Sequence, residues 1–183
     1  MLYFFLAILA IALLIDNSTT VLRRIFPLKY GEYVFQYSEA NNIDPYLVFA
    51  IIKAESGFNP NAKSAKNAKG LMQIMDETAR WGAQNIKIES FTPEDLYDPE
   101  INIRIGCWFI RQLCNEFGDD TDLVIAAYNG GSGNVKEWLG NKAYSKHGTS
   151  LDVIPFKETE RFVKKVKGYY YVYSKLYKGQ EKE

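Results

Sequence analysis

The chain has 183 residues, enough for one domain of ordinary size around a single hydrophobic core. Its 22 Lys and Arg balance 22 Asp and Glu, and a net charge of zero argues against nucleic acid as the main partner, which would call for a basic face or stripe. The 13 Tyr, 11 Phe and 3 Trp suit a groove that stacks on sugar rings and equally suit a plain core.

Residues Leu2 to Ile15 form an unbroken apolar run, shorter than the roughly 20 residues of a membrane-spanning helix unless continued through Leu22. Neither a clear basic leader nor a clear small-x-small cleavage site accompanies it, so residues 1–25 are expected to be a hydrophobic helix that serves as a membrane anchor or an uncleaved signal. The rest, 26–183, would then stand on the extracytoplasmic side. Arg23 and Arg24 follow the run and oppose that orientation. A true start upstream of Met1 would remove the conflict.

From Phe26 the chain reads as a short linker and a first helix with Tyr30, Tyr33, Val34 and Tyr37 near helical spacing. Asp44 followed by Pro45 is a strong helix start, an acceptor at the cap and a proline where a missing N–H costs nothing. Leu47 to Ala54 is apolar nearly all round except for Lys53, the pattern of a helix buried in a core, and Gly57 stops it. The Asn- and Lys-rich loop from Phe58 to Lys69 is expected to be exposed, and Asp76 to cap a short helix ending near Ala83. Glu89 to Asp98 reads as irregular. Asp98-Pro99 then starts a long helix carrying Ile101, Ile105, Trp108, Phe109, Leu113 and Phe117, which Gly118 ends.

Cys107 and Cys114 lie seven residues apart on that helix, which puts their Cα atoms about 10 Å apart, beyond disulfide reach. His147 has no Cys or His at ligand spacing, so no metal is expected. A compact helix from Thr121 delivers Tyr128 and Asn129 to the turn Gly130-Gly131-Ser132-Gly133, where the strand and lysine of a phosphate loop are missing. Val135 to Leu139 makes another turn or two. After a polar loop the last helix carries Phe162, Val166, Tyr169, Tyr173 and Leu176 as one apolar stripe, with Lys157, Lys164, Lys165, Lys167 and Lys175 as a solvated face.

One carboxylate stands out, Glu55, in the last turn of the apolar helix. There it meets the negative end of the helix dipole and a poorly solvating environment, and both disfavour the anion. A carboxylic acid still protonated near neutral pH is what a departing sugar oxygen needs.

Glu55-Ser56, Ser64 nine residues on, and Gly70-Leu71-Met72-Gln73, ending eighteen residues on, form an ordered set with Ala126-Ala127-Tyr128-Asn129-Gly130 and Ile154-Pro155-Phe156-Lys157-Glu158-Thr159. The set resembles the soluble lytic transglycosylases of the Slt type. Departures from that family's pattern are Ala68-Lys69 in place of Gly-Ala, Asp76 in place of proline, Gly130 in place of alanine and Phe162 in place of tyrosine.

The resemblance implies a mainly α, lysozyme-like domain of packed helices around a substrate groove, acting as a monomer on a peptidoglycan strand without cofactor or metal. It implies Glu55 as the single acid and base, with Ser56, Ser64, Met72, Gln73, Met75, Tyr128, Asn129 and Glu158 around the sugar. In such a reaction the N-acetyl group of muramic acid assists departure of the leaving group, its own 6-hydroxyl attacks, and a 1,6-anhydro sugar forms. A hydrolytic muramidase and a non-catalytic wall-binding module are the alternatives. No second carboxylate is tied to Glu55 by spacing, as an ordinary glycosidase would require.

Overall fold

The computed structural model describes residues 19–178. The expected hydrophobic helix over 2–15 lies outside these residues; 19–25 is helical and largely exposed. The elements are α1 (Gly31–Ala40), α2 (Pro45–Glu55), α3 (Asp76–Asn85), a 3-10 turn (Pro93–Tyr97), α4 (Pro99–Phe117), α5 (Thr121–Gly130), α6 (Ser132–Gly140) and α7 (Lys157–Tyr177). Among the described residues there is no named strand, only isolated bridges pairing Lys63 with Lys69 and Lys69 with Ile74.

Helix α2 is the axis of the core. Asp44 caps it by accepting from the Tyr46 N–H at 2.8 Å, with Pro45 at the first helical position. Every residue from Tyr46 to Ile52 is buried, so the helix has no solvent face over these two turns. It packs mainly against α7 and also against α1. The Phe49 ring lies 5.6 Å from that of Tyr173 on α7 and 5.6 Å from that of Phe35 on α1. Burial of each such side chain is worth about 1.5–3 kcal/mol.

Helix α4 is capped in the same way, Asp98 accepting from the Ile101 N–H at 3.0 Å. Its apolar stripe is wider than the spacing suggests, because Ile103, Cys107 and Ile110 are also buried. Both cysteines are free and buried. Gly106 lets the helix approach the neighbouring loop, since a Cβ there would sit 2.2 Å from the Met72 sulfur. Helix α5 is capped by Asp120, which accepts from the Asp122 and Leu123 N–H groups at 3.0 and 3.1 Å. Gly131, with φ 87°, makes the corner between α5 and α6.

Three local expectations need correction. Helix α3 has Met75 at its cap position and no side-chain cap; Asp76 is its first residue, and the carboxylate faces Lys69 instead. The loop after α2 is only partly exposed: Phe58, Ala68 and Lys69 are buried. The stretch 89–98 contains the ordered 3-10 turn, where Asp95 accepts from the Thr92 N–H at 2.7 Å.

The loop between α2 and α3 is seated on Asn102 of α4. Its buried side-chain amide donates to the Lys69 and Leu96 carbonyls at 3.0 and 2.8 Å and accepts from the Met72 N–H at 2.8 Å. Asn102→Leu takes their side-chain partner from the Leu96 carbonyl and the Met72 N–H and leaves the Lys69 carbonyl with the Ile74 N–H alone, so it is expected to destabilise the fold by roughly 3 kcal/mol, read as a lowered denaturant midpoint.

Candidate active site

Four segments converge on one cavity. The end of α2 supplies Glu55, the loop after it Ser64, Ala65, Lys66, Ala68, Gln73 and Met75, the last turn of α5 Tyr128 and Asn129, and the first turn of α7 Glu158; together they line a cavity of about 320 Å³. Seven of the nine residues singled out in the sequence line it: Glu55, Ser64, Gln73, Met75, Tyr128, Asn129 and Glu158.

Ser56 and Met72 do not. The Ser56 hydroxyl is turned to the backbone, donating to the Leu71 carbonyl at 2.7 Å, so it ties the loop to the end of α2. The Met72 side chain is fully buried against Gly106, and only its carbonyl oxygen reaches toward the site, where it accepts from the Tyr128 hydroxyl at 2.6 Å. Both are framework rather than lining.

The polar lining is held from behind by hydrogen bonds. Gln73 sits at φ 49° and spends its amide N–H groups on the Ala62 and Gly70 carbonyls at 3.1 and 2.9 Å. Ser64 Oγ accepts from the Ala68 N–H at 3.0 Å, which leaves the hydroxyl hydrogen to be donated. Tyr128 is fixed by its bond to Met72 and by the Phe109 ring 5.5 Å away. Glu158 does not reach Tyr128; it is exposed and faces Lys66 across the cavity mouth at 3.8 Å. Such a solvated pair adds little stability.

Glu55 is the electrostatically unusual group. Burial raises its pKa from the usual 4.5 to about 7, the Lys165 ammonium opposes the rise, and the Glu158 carboxylate adds to it. Lys165, on α7, donates to the Ala54 carbonyl at 2.7 Å and so also caps the carbonyl end of α2. Burial, and then the charge of Glu55, push the Tyr128 hydroxyl well above its ordinary value, keeping it a donor. Among the described residues no group of three or more His, Cys, Asp and Glu could hold a metal ion.

The model of the transglycosylase SLT domain family matches residues 32–150. The chain belongs to that family. A soluble lytic murein transglycosylase of Escherichia coli K12 is 39% identical over 152 residues, covering 81% of this chain and 24% of that protein. The structure of the 70 kDa soluble lytic transglycosylase of Escherichia coli superposes with a TM-score of 0.75 at 35% identity, over 84% of this chain and 25% of that one. An inactive glutamate-to-glutamine mutant of the lytic transglycosylase Slt from Pseudomonas aeruginosa gives 0.74 at 28% identity, over 84% and 25%. The chain thus spans about a quarter of the length of the relatives it matches.

The helical architecture agrees with the lysozyme-like SLT fold. The expectation of a membrane anchor is corrected: the similar Escherichia coli protein is named a soluble enzyme, and no helix among the described residues is long and apolar enough to cross a membrane. Glu158 and Lys165 lie beyond the matched stretch of this SLT domain.

Sequence reasoning missed Lys66 in the lining and the part Lys165 plays behind it. Nothing in the spacing signals either, because one acts across the mouth and the other reaches a helix end more than a hundred residues away in the chain.

The raised pKa has a stability consequence. Between pH 4.5 and about 7 the folded chain holds a proton on Glu55 that the unfolded chain has lost, so stability falls as pH rises through that window and levels off above it, by roughly 2–4 kcal/mol in all. Urea midpoints against pH should show this decline, and Glu55→Gln should remove it and be the more stable form above pH 7. Lys165→Met, which deletes the opposing charge, should move the upper end of the decline to higher pH.

Proposed function

We propose that this chain is the catalytic unit, spanning 26–183, of a lytic transglycosylase that cleaves murein between N-acetylmuramic acid and N-acetylglucosamine without consuming water. The observation that carries the reading is Glu55: an acid with its pKa at about 7, lining a cavity to which Ser64, Gln73, Tyr128 and Asn129 bring uncharged hydrogen-bonding side chains. Supporting it, the relatives are named murein transglycosylases, and one was solved as an inactive mutant in which glutamine replaces a glutamate.

On this reading Glu55 gives its proton to the glycosidic oxygen as the bond to the anomeric carbon breaks. The muramic N-acetyl oxygen stabilises the positive charge that develops at that carbon. The 6-hydroxyl of the same sugar then attacks, and its proton passes to the Glu55 carboxylate, which restores the acid. One bond between carbon and oxygen is exchanged for another, and the proton returns to where it started. A single group serves both halves best when its pKa lies near the working pH, since it must be an acid first and a base second.

The remaining lining positions the sugar. Ser64 offers its hydroxyl hydrogen to the N-acetyl oxygen, Gln73 and Met75 form the wall of the loop, Asn129 contributes an amide beside Tyr128, and Glu158 bonds sugar hydroxyls at the mouth. Tyr128 acts through Met72, holding the loop against α5.

Glu55→Gln keeps shape and removes the proton, so release of glycan from purified peptidoglycan should fall by about 100-fold or more with folding intact. In the active chain kcat/KM should decline on the alkaline side with a midpoint near pH 7, where Glu55 loses its proton. Mass analysis should find anhydro ends; fragments heavier by one water would instead identify hydrolysis, and binding of sacculi with no release a wall-binding module.

A further inference from the structure

Lys69 is the most buried charge in the loop, its side chain only 3% exposed, and it lies against the carboxylate of Asp76, which is 36% exposed. The other oxygen of Asp76 accepts from the Asn67 side-chain amide at 3.0 Å. Lys69 is also the middle rung of the loop: its N–H donates to the Ile74 carbonyl at 3.0 Å, and its carbonyl accepts from the Ile74 N–H at 3.1 Å. Lys69 and Asp76 stand immediately outside the two ends of Gly70–Met75, the segment that delivers Gln73 and Met75 to the cavity. Asn67 belongs to the arm that delivers Ser64, Ala65, Lys66 and Ala68. One carboxylate therefore fastens both arms of the loop to the start of α3. Lys69 and Asp76 are also two positions where the sequence departs from the pattern it otherwise resembles, and they depart together.

We propose that Lys69, Asp76 and Asn67 form a clamp that positions the loop wall against Glu55, with Lys69 and Asp76 acting as a coupled pair of positioning residues. The kinetic part of this inference rests on the transglycosylase reading; the geometric part does not. A buried ammonium that loses its partner is strongly destabilising, whereas Asp76 without Lys69 is partly solvated and sits at a helix N-terminus that favours an anion. The two single substitutions should therefore be unequal. Asp76→Asn strands Lys69 in the interior and drives the loop open, which admits water to Glu55. Lys69→Met leaves the loop seated by Asn102 and by the Asn67 bond. Removing both charges together takes away the cause of the opening.

The test uses the full chain and the variants Asp76→Asn, Lys69→Met and the double substitution, at a temperature where circular dichroism shows all of them folded. The first readout is the NMR titration of the Glu55 carboxyl carbon, which needs no activity. Asp76→Asn should move its midpoint down by about one pH unit, toward a solvated carboxylate, and the double variant should return it to within a few tenths of the parent. The second readout is glycan release. Asp76→Asn should lower kcat about tenfold or more with a smaller change in KM, since the wall is misplaced rather than missing, and the double variant should recover most of it. If every variant titrates Glu55 as the parent does, or if the effects of the two single substitutions simply add, the clamp is overturned. If the parent chain releases no glycan while the titration behaves as described, the transglycosylase reading fails and the clamp stands.

Discussion

A carboxyl group placed at the end of a helix with no solvent face cannot be hydrated as it would be in water, and most of the site is arranged around that fact. The apolar length of α2 forces the helix into the interior, and its last turn carries Glu55 with it into the lining of a cavity. Desolvation then does what no single neighbour does, raising the pKa to about 7. The neighbours adjust the result in opposite senses: Lys165 lowers it and Glu158 raises it, and both belong to α7, the helix that packs most heavily on α2. Packing and electrostatics are thus set by the same pair of helices, so a shift of α7 along α2 would move both charges relative to Glu55 at once.

The second constraint is the loop from Phe58 to Met75, whose groups must face a cavity although it contains almost no regular structure. It is held by polar atoms whose partners are buried or half-buried. Asn102 supports it from below with three bonds, Ser56 ties it to the end of α2, and Tyr128 reaches the Met72 carbonyl from α5. Gly70, at φ 74°, passes so close to the 3-10 turn and to α4 that a Cβ would lie 2.1 Å from the Leu96 carbonyl oxygen and 2.2 Å from the Asn102 side-chain nitrogen. Gln73 adopts the left-handed region without being glycine, a conformation that persists only where surrounding bonds over-determine it. Its two amide bonds to Ala62 and Gly70 are those bonds.

What could be read from the sequence were the features whose causes are local. Asp44-Pro45 and Asp98-Pro99 announce helix starts because the acceptor and the ring act within three residues, and both caps are present. The apolar length of α2 and the stripe on α7 follow from periodicity alone. Local reasoning erred where a residue answers to something distant. Asp76 has the chemistry of a cap, but a buried lysine competes for it and wins, because an unpaired interior ammonium costs more than an uncapped N–H at a helix start that water can reach. Asn102 carries no local signal in the sequence, and only the folded loop brings to it the three backbone groups it bonds. Ser56 and Met72 sit beside lining residues in the chain, and each turns the other way because the framework needs it first.

The placement of the carboxylates bears on the choice between one-acid and two-acid chemistry. Glu158 shares the cavity with Glu55, which invites the comparison with a pair of glycosidase acids. The two environments differ sharply. Glu55 is desolvated and shielded, while Glu158 is exposed at the mouth with Lys66 opposite. A nucleophilic carboxylate in a retaining glycosidase must meet the anomeric carbon beside the acid, in the interior of the cleft. Glu158 instead is exposed to solvent, and its charge is felt at Glu55 as an upward push on the pKa. A solvated carboxylate at the entrance is better suited to bonding sugar hydroxyls than to displacing a leaving group. That asymmetry argues against Glu158 as a nucleophile of the retaining-glycosidase kind, which the proposed mechanism does without.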